Sequence, residues 1–424
     1  MVYRNSGIVL WLFTYKVKTS LNMAVILSCP ICAGVRPFCI HKSYPLQKTS
    51  HIEKIVSEKL KQDFFGPCVS VFVGHNFYPN VFVGPMASLE SEMQNIDNPG
   101  SWFGLDYSKI IEMRSFLLRS KQKESIFSRS KFIEENQELA LAERPTDTEI
   151  LFKKKPVFSF QLSEYTQPMG PVGALEKMKI TENIKIDHKV ENIVRDDLKA
   201  VDAAYLLYKN NQDVYKITTI LSAGILGKKE NKKLVPTRWS VTASDDIICK
   251  KLIEQIKDFK EMSEYLVFQS TYMDNHFIVL VMPGSWEFEN FEVWATGSNW
   301  SVPTQSKIIE EYESYEGRKN YAEKQAGGYY ATRLGICEYL EKIKKQAKVV
   351  VFREVGEGYT IPLGVWVCRE TVRNAVNHYP KKFNTDNEAL EYVKTLTKVR
   401  MEDYIKNSKV LNRRTLFSFL TRIP

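Results

Sequence analysis

Residues 69–85, VSVFVGHNFYPNVFVGP, constrain the fold more than any other stretch of the chain. They contain two runs rich in valine and phenylalanine, and β-branched and aromatic residues favour extended strands. Glycine, asparagine and proline stand between the two runs, and these residues are typical of turns. The stretch therefore predicts two strands joined by a turn.

Helical patterns are found on both sides of this strand pair. We expect a helix from His51 to Asp63, a long helix from Tyr107 to Ala142 and a last helix near residues 387–406. A further helix is expected at RETVRNAVNHY, residues 369–379.

Residues 244–259 also have a helical period, because their apolar side chains recur at 248, 252, 256 and 259. Ser244 fits the N-cap of this helix. Asp245 and Asp246 would then lie in its first turn, where carboxylates are stabilised by the helix dipole.

Strand patterns alternate with these helices in the second half of the chain. Residues 265–283 predict a hairpin that turns at Asp274–Asn275. AKVVVFREV, residues 347–355, and PLGVWVCRE, residues 362–370, are also predicted to be strands. Because helices and strands are mixed along the chain, we predict a mixed α/β or α+β fold.

Three of the seven cysteines fall within one short segment, CPICAGVRPFCIH, residues 29–41. Cys29 and Cys32 have the two-residue spacing that lets one tight turn present both thiolates to a tetrahedral ion. Cys39 adds a third thiolate, so we predict a structural zinc module at residues 24–50. His41 is the nearest fourth ligand and His51 is the alternative.

The remaining cysteines are scattered in apolar settings and do not form a disulfide framework, which favours a reducing, cytoplasmic compartment. The apolar residues 7–15 are too few to span a bilayer, and no other segment predicts a membrane span. Residues 1–22 are interpreted as an over-long start or a disordered segment, with Met23 as the natural first residue.

Positive charge is concentrated at the C-terminal end of the chain. The formal net charge is +9, and residues 394–424 contribute +6 of it. A basic tail favours anionic partners such as nucleic acid. A solvated basic face is the alternative interpretation.

A second basic segment lies in the middle of the chain, where lysines and an arginine are followed by Trp239. Its cations are Lys228, Lys229, Lys232, Lys233 and Arg238. Cations that neutralise phosphates, next to an aromatic ring that stacks on bases, suit single-stranded nucleic acid. A lysine-rich surface loop is the alternative.

A glycine pair, Gly327–Gly328, is followed after a few residues by Arg333, and its backbone amides could approach an anion. Close packing of the two glycines is the alternative. The chain has no Walker A loop, Rossmann glycine fingerprint, HExxH motif or GxSxG elbow. No residue is therefore assigned a catalytic role.

The last thirteen residues, NRRTLFSFLTRIP (412–424), contain apolar side chains although chain ends usually fray. From the residues alone, this end either packs into the core of the protein or is presented to another protein.

Several long segments in order resemble the archaeal Nre family of DNA repair proteins, from about Met23 onward. They include FFGPCVSVFVGHNFYPNVFVGP (64–85), DNPGSWFG (97–104), DLKAVDAAYLLY (197–208), LVPTRWSVTASDD (234–246) and VMPGSWEFENFEVW (281–294). The resemblance implies a zinc-finger-like module, two globular regions and a C-terminal motif for the sliding clamp PCNA. The corresponding ranges here are residues 24–50, 51–220, 221–406 and 407–424.

Two positions depart from what the resemblance implies. Tyr44 stands where the family's module has a fourth cysteine, so His41 would have to complete the zinc site. In the implied clamp motif, Arg413 replaces the usual glutamine, while the apolar contacts are retained. Those contacts are Leu416, Phe419 and Leu420.

Three hypotheses follow from the sequence. The first is a DNA repair protein that the PCNA clamp recruits to DNA, with Lys228, Lys229, Arg238 and Arg333 as candidate nucleic-acid or phosphate contacts. The second is an enzyme that acts on nucleotides or nucleic acid, with Arg238, Arg333 and Glu370 in one pocket. The third is a non-catalytic scaffold.

Overall fold

The computed structural model of the protein describes five stretches of the chain. They are residues 46–90, 95–158, 169–295, 308–359 and 362–412, with side chains described from residue 51 onward. Helices and strands are mixed through all of them, so the predicted mixed α/β class is confirmed. The predicted zinc module at residues 24–50 lies outside these stretches, apart from the start of one helix.

The N-terminal part of the described chain is a helix followed by a closed barrel of five strands. Helix α1 spans Leu46–Lys59, so it begins earlier than the predicted residue 51, and Asp63 already belongs to a strand. The barrel strands are β1 (Asp63–Val73), β2 (Asn80–Ser88), β3 (Leu117–Ser125), β4 (Thr146–Phe152) and β5 (Val172–Ile180). The predicted strand pair at residues 69–85 is thereby confirmed as the antiparallel pair β1 and β2.

The barrel closes in the order β1-β2-β3-β5-β4, and β4 pairs back with β1. Strands β3 and β5 are parallel, whereas the other four pairings are antiparallel. Helix α2 (Tyr107–Ser115) precedes β3, and helix α3 (Lys131–Leu141) joins β3 to β4. This strand order, with one parallel pair and a helix before the fourth strand, is the topology of an OB-fold.

The predicted long helix at residues 107–142 is wrong, because β3 separates α2 from α3. Asp106 caps α2 and Ser130 caps α3, so each helix has a start of its own. The β3 sequence, LLRSKQKES, is rich in residues with good helix propensity. Its backbone pairs with β2 and β5 on its two sides, and this tertiary pairing overrides the local preference.

Four helices follow the barrel: α4 (His188–Arg195), α5 (Ala200–Lys209), α6 (Val214–Ser222) and α7 (Thr237–Ile256). The start predicted for α7 is wrong, because Ser244 lies buried inside the helix and does not cap it. Pro236 precedes the first turn, and proline suits a helix start because it has no N–H to be left unpaired. Asp245 and Asp246 therefore lie in the middle of α7.

The C-terminal part of the described chain is built on a six-stranded sheet in the order β10-β9-β12-β8-β7-β13. Its strands are β7 (Tyr265–Tyr272), β8 (Asn275–Met282), β9 (Glu287–Trp294), β10 (Ile308–Glu313), β12 (Lys348–Val355) and β13 (Lys381–Phe383). The remaining elements are β6 (Lys260–Glu261), β11 (Lys345–Gln346), α8 (Gly327–Ile343), α9 (Trp366–Asn377), α10 (Asp386–Leu396) and α11 (Met401–Asn407). Strands β9 and β12 are parallel, and the other pairs of this sheet are antiparallel.

The predicted hairpin at residues 265–283 is confirmed as β7 and β8, and the strand at 347–355 as β12. The strand predicted at residues 362–370 is wrong, because α9 begins within it at Trp366. Gly364 adopts a φ of 111°, which ends the extended segment before the helix. A short apolar run of this kind has no periodicity that separates a strand from a buried helix.

The last predicted helix, residues 387–406, is divided into α10 and α11. Between them the backbone N–H groups of Lys398 and Val399 donate hydrogen bonds to the Glu354 carboxylate on β12, at 2.8 and 3.0 Å. These bonds hold the connection against the sheet and interrupt the helix.

One continuous apolar core joins the barrel to the helices and to one face of the sheet. It includes Val71 and Val83 from the barrel, Ile217 from α6, Val279 from β8 and Trp366 from α9. A second core lies between the other face of the sheet and helices α10 and α11. Among the described helices, none has the length and apolar content needed to cross a membrane.

Candidate nucleic-acid interface

Strand β3 carries its charged side chains on one side of the barrel. Arg119, Lys121 and Lys123 alternate with residues that point inward, such as Leu118 and Ser120, which are 1% and 3% exposed. Because strand side chains alternate between the two faces, the three cations share the outer face. They form a basic row along the strand.

Each cation of this row lies over an aromatic ring of β1, of β2 or of the loop that connects them. Arg119 lies 5.2 Å from the ring centre of Phe72 on β1, and Lys121 lies 5.2 Å from that of Phe82 on β2. Cations in this position are attracted by the negative face of the ring. The outer face therefore combines positive charge with aromatic surface.

The third pair brings in the loop between β1 and β2, since Lys123 lies 5.4 Å from the ring centre of Phe77. Phe77 and Phe82 also meet edge to face, with their centres 6.0 Å apart. We call the outer surface formed by Phe72, Phe77, Phe82, Arg119, Lys121 and Lys123 the barrel face.

A groove of about 350 Å³ lies along the barrel face. Its lining residues are Phe82, Lys121, Gln122, Lys123, Lys153, Ala174, Leu175 and Glu176. Three lysines therefore meet one carboxylate, and the net charge of the lining is positive. Within the described chain, none of these three lysines forms an ion pair. Their charges remain available to an anionic ligand.

Arg119 differs from the lysines because it is largely buried. Burial and the neighbouring Arg114 guanidinium lower the pKa of Arg119 to about 10, so it stays protonated at neutral pH. Its Nε atom is buried without a hydrogen-bond partner among the described residues. Arg119 thus adds a fixed cation with unused donor capacity at one end of the row.

The loop between β1 and β2 presents two aromatic rings to solvent. Phe77 is 67% exposed and Tyr78 is 44% exposed. Phe77 adopts a φ of 67°, a strained conformation for a residue with a side chain. Backbone strain of this kind is concentrated at binding sites, where the structure holds side chains in position for a ligand.

The start of α7 lies against this loop. The Val73 N–H at the end of β1 donates a hydrogen bond to Thr237 Oγ1, at 2.9 Å. Trp239 is 45% exposed, and its ring centre is 5.1 Å from that of Tyr78. Arg238, which lies between Thr237 and Trp239 in sequence, is exposed. The fold therefore places the predicted contact Arg238 beside the barrel face.

Lys228 and Lys229 belong to a loop that packs against the segment following β3. The Arg129 guanidinium donates hydrogen bonds to the carbonyls of Lys229 and Lys232, at 3.3 and 3.1 Å. The Leu234 N–H donates to the carbonyl of Ile126, at 2.8 Å. Both predicted lysines are exposed, so they extend the positive surface beyond the end of β3.

Arg333 lies elsewhere, in the interior between α7, α8 and β10. It is 1% exposed and forms ion pairs with Asp246, at 2.5 Å, and with Glu313. Burial lowers the pKa of Arg333, but the adjacent Cys249, Glu313, Tyr329 and Asp246 together raise it well above its usual value. The structure therefore does not bring Arg333 together with Lys228, Lys229 and Arg238.

A second interior network connects the helices. Asp245 on α7 accepts two hydrogen bonds from Arg369 Nη2 on α9, both of 2.6 Å. Glu370 accepts from the Tyr215 hydroxyl at 2.7 Å and pairs with Arg373 at 2.8 Å. Glu370 and Arg333 are thus each neutralised inside the protein, whereas Arg238 lies on the surface. These three residues do not converge as the enzyme hypothesis expected.

The other predicted sites lie outside the described residues. These are the zinc ligands Cys29, Cys32, Cys39 and His41, and the clamp-motif residues Arg413, Leu416, Phe419 and Leu420. The alternative ligand His51 is described and is exposed on α1. In the described part of the chain, no cluster of three or more His, Cys, Asp or Glu side chains could hold a metal ion.

Sequence reasoning missed the barrel face, although a signal for it was present. Residues 119–123, RSKQK, alternate between basic and neutral side chains, which is a strand period. The helical propensity of the surrounding residues hid this alternation. The partner rings Phe72 and Phe82 are far from these cations in sequence, so only the barrel pairing shows that they meet.

Two family models match this chain. One, described as "Archaeal Nre, N-terminal", matches residues 38–301, and the other, described as "Archaeal Nre, C-terminal", matches residues 313–420. The barrel lies entirely within the first match. No solved structure shows significant similarity to the chain.

Curated relatives match along most of their length. The chain is 34% identical to a DNA repair protein NreA of Archaeoglobus fulgidus, over 93% of this chain and 99% of that protein. It is 32% identical to DNA repair protein NreB of the same organism, over 93% of this chain and 100% of that protein. It is 33% identical to DNA repair protein NreA of Haloferax volcanii, over 81% and 85%.

Proposed function

The chain belongs to the archaeal Nre family, and from this premise we propose that it is a DNA repair protein that contacts DNA through the barrel face. Relatives of similar length carry the name DNA repair protein, which supports the general role. The four described cysteines are free buried thiols, which suits the reducing conditions of the cytoplasm.

The observation that carries this proposal is the row of three cations over three aromatic rings on the barrel face. The phosphate backbone of DNA is a dense line of negative charge, and cations that neutralise it release counterions. Among the described residues, the cations of this row form no ion pair, which favours DNA binding, and the strength of binding should fall as salt is added.

Salt-dependent binding of the full chain to DNA tests the contact. Replacing Lys121 and Lys123 by glutamine should reduce the slope of log affinity against log salt by about 1.4–1.8, or about 0.7–0.9 per lost phosphate contact. The matched control replaces Lys209 and Lys342, two exposed lysines on α5 and α8, by glutamine. Equal slopes for the two variants would refute the proposed interface.

The C-terminal tail is proposed to recruit the protein to DNA through the PCNA sliding clamp. Arg413, Leu416, Phe419 and Leu420 would form the contact, as an amphipathic turn placed in a groove of the clamp. The described chain supports a fixed starting point for the tail, because Glu289 on β9 accepts a hydrogen bond of 2.6 Å from the Lys409 N–H.

Titration of the full chain against the cognate clamp tests the recruitment. Replacing Leu416 and Phe419 by alanine should abolish measurable binding, because both apolar anchors are lost. The control is Thr421→Ala, which lies in the same tail but outside the motif. If the wild-type chain does not bind, or if the double alanine variant binds as tightly, the clamp motif is not functional.

A structural zinc ion is proposed at residues 24–50. Three thiolates, from Cys29, Cys32 and Cys39, with one imidazole form a ligand set that suits tetrahedral zinc. His41 is the expected imidazole and His51 the alternative. When bound, the ion would crosslink a segment too short to bury a core of its own.

Elemental analysis and mapped alkylation of the cysteines test the zinc site. We expect one zinc per chain, and we expect Cys29, Cys32 and Cys39 to react with iodoacetamide only after a chelator is added. His41→Ala should lower the zinc content, whereas His51→Ala should not. A metal-free chain whose three cysteines react at once would exclude the site.

A further inference from the structure

We propose that the barrel face, together with the start of α7, binds single-stranded DNA and stacks its bases on exposed aromatic rings. The inference rests on the proposed function, because it assigns a class of DNA to the surface proposed above. The occupant would be one strand, with phosphates on the lysines and bases on Phe77, Tyr78 and Trp239.

The topology presents the surface in the position where such barrels bind oligonucleotides. In an OB-fold the ligand lies over strands β2 and β3, between the β1–β2 loop and the β4–β5 loop. Here the cations lie on β3, Phe82 lies on β2, and Phe77 and Tyr78 belong to the first of these loops. The second loop begins with three exposed lysines, Lys153, Lys154 and Lys155.

The exposed rings supply the stacking surface. Phe77 and Trp239 are 67% and 45% exposed, although aromatic side chains of this size are usually covered. Tyr78 packs against Trp239 at an interplanar angle of 55°, so the two rings offer a tilted pair of faces beside the loop. Stacking on an aromatic ring tolerates any base, because every base has a flat π-surface.

Single-stranded DNA fits this arrangement better than a duplex does. In a duplex the flat faces of the bases are stacked on one another and cannot reach a protein ring. A protein recognises the base sequence of a duplex at the edges of the bases, with a helix or a two-stranded ribbon that enters a groove. The barrel face instead combines aromatic rings with cations that lie over them, and exposed rings adjoin it in the β1–β2 loop and at the start of α7. Cations together with exposed rings are the composition of a single-strand groove.

The positive surface continues past the end of β3, and this continuation marks a path for the bound DNA strand. From Lys123 it passes to the segment containing Arg129 and then to Lys228 and Lys229, whose loop packs on that segment. Glu176 is the carboxylate of the groove and favours a path that stays on the β2–β3 side. The length of β3 and this extension fits an oligomer of about 4–16 nucleotides.

Fluorescence anisotropy of the full chain with labelled 12-nucleotide probes tests the proposal. The probes are a thymine single strand, a DNA duplex and the uracil RNA strand. We expect the DNA strand to bind at least about tenfold more tightly than the duplex. Replacing Phe77 and Trp239 by alanine should weaken single-strand binding by at least about twenty-five-fold, or about fivefold or more for each lost stacking contact, and leave duplex binding within about twofold.

The matched control replaces Phe65 and Tyr379, which are 64% and 102% exposed and lie away from the barrel face, by alanine. Its affinities should equal those of the wild type. Thermal unfolding of each variant checks that it is folded. The single variant Phe77→Tyr, which keeps a ring at this position, should bind the single strand as tightly as the wild type does.

The possible results separate this inference from the proposed function. If Lys121→Gln with Lys123→Gln weakens binding but the aromatic variant does not, or if the duplex binds as tightly as the strand, single-strand stacking is refuted and the DNA contact stands. Tighter binding of the RNA strand would overturn the assignment to DNA. If neither variant weakens binding, both proposals fail.

Discussion

The ion pair between Asp245 on α7 and Arg369 on α9 is among the most enclosed charge contacts of the described residues. Both side chains are at most 1% exposed, and the Arg369 guanidinium also lies 4.9 Å from the Tyr215 ring centre. Burial raises the pKa of Asp245, and the adjacent Arg369 opposes that shift. Each charge is therefore tolerated in the interior because the other is present.

Removing one partner should consequently be far more harmful than removing an exposed pair. Asp245→Asn leaves Arg369 buried without a counter-charge, and we expect a loss of about 3–5 kcal/mol in the free energy of unfolding by urea. The control is Glu264→Gln, which breaks an exposed pair with Lys382 of 3.0 Å and should change stability by less than about 1 kcal/mol. Equal effects would contradict the role of burial.

Glu289 gives the protein a pH-dependent contact at the start of the tail. Burial raises its pKa from 4.5 to about 7, although it accepts hydrogen bonds from Ser408, Lys409 and Val410. Between these two pH values the folded state keeps a proton that the unfolded chain has released. The unfolded state then binds fewer protons, so stability falls as pH rises through this window.

The change Glu289→Gln should remove this contribution, because glutamine does not ionise. The stability of the wild type relative to this variant should decrease by up to about 3 kcal/mol between pH 5 and pH 8, as measured by urea unfolding. Glu391→Gln, at an exposed position on α10, is the control and should show no such trend. A pH-independent difference would show that Glu289 is ionised throughout.

For single residues, the sequence predicted that Lys228, Lys229 and Arg238 are exposed cations, but it did not predict that Arg333 is buried in ion pairs. Lysines in a glycine- and asparagine-containing loop are exposed in most folds, so local composition was sufficient for them. Arg333 meets Asp246 and Glu313, which are 87 and 20 residues away in sequence. Only the packing of α7, α8 and β10 creates that contact.

Strands β2 and β3 approach each other closely beneath the barrel face, and Gly84 makes this possible. A Cβ atom at Gly84 would lie 2.3 Å from the backbone carbonyl oxygen of Ser120 on β3. A backbone atom cannot move aside as the end of a side chain can. Because Gly84 has no side chain, the two strands that carry Phe82 and the basic row can lie this close together.

Gly84→Ala should therefore lower the free energy of unfolding by about 1–3 kcal/mol or more through overpacking. Gly66→Ala on β1 is the control, since its added Cβ would meet only the Phe64 ring, at 2.9 Å, which can rotate away. Thermal or urea unfolding measures both. A Gly84→Ala protein as stable as the control would show that β3 can shift without loss.

Elements were predicted well where pairing is local. The β1–β2 and β7–β8 pairs each join neighbouring strands through a short turn, and their turn residues are visible in the sequence. Strand β3 was missed because it pairs with β5, some 50 residues later, and its own residues suit a helix. The start of α9 was missed because its first three residues, Trp366–Cys368, are apolar and continue an apolar run, so no polar residue marks the helical period there.

The two regions matched by the family models are not separate folding units in the described structure. Strand β9 lies in the first match and β12 in the second, and they pair over eight residues from Glu287 and Lys348 to Trp294 and Val355. The continuous core crosses the same boundary, since it joins Val71 of the barrel to Trp366 of α9. Each region therefore supplies part of the sheet and of the apolar core that the other region needs.

Fragments divided at this boundary should depend on each other. We expect residues 1–301 and 302–424, produced together, to copurify as one particle of the size of the intact chain. Residues 1–301 produced alone should aggregate, because β9 loses its neighbour β12. Size-exclusion chromatography measures both. A monomeric, cooperatively unfolding 1–301 fragment would show that the first region folds alone.

For the whole molecule, sequence predicted the mixed class and most segment types but not the architecture. A barrel is closed by contacts between segments far apart in the chain, here β4 with β1, and no local pattern specifies such a closure. The sheet order likewise places β12 between β8 and β9, which are neighbours in sequence. The barrel face depends on such long-range contacts and therefore could not be predicted from the sequence.

The position of Trp239 has an optical consequence. Trp102 and Trp286 are fully buried, and their emission reports only on the interior of the protein. Trp239 is held half-exposed against Tyr78, at the edge of the barrel face. A base that stacks on this indole would quench its fluorescence, so the protein carries its own chromophore for following the arrival of an unlabelled strand in real time.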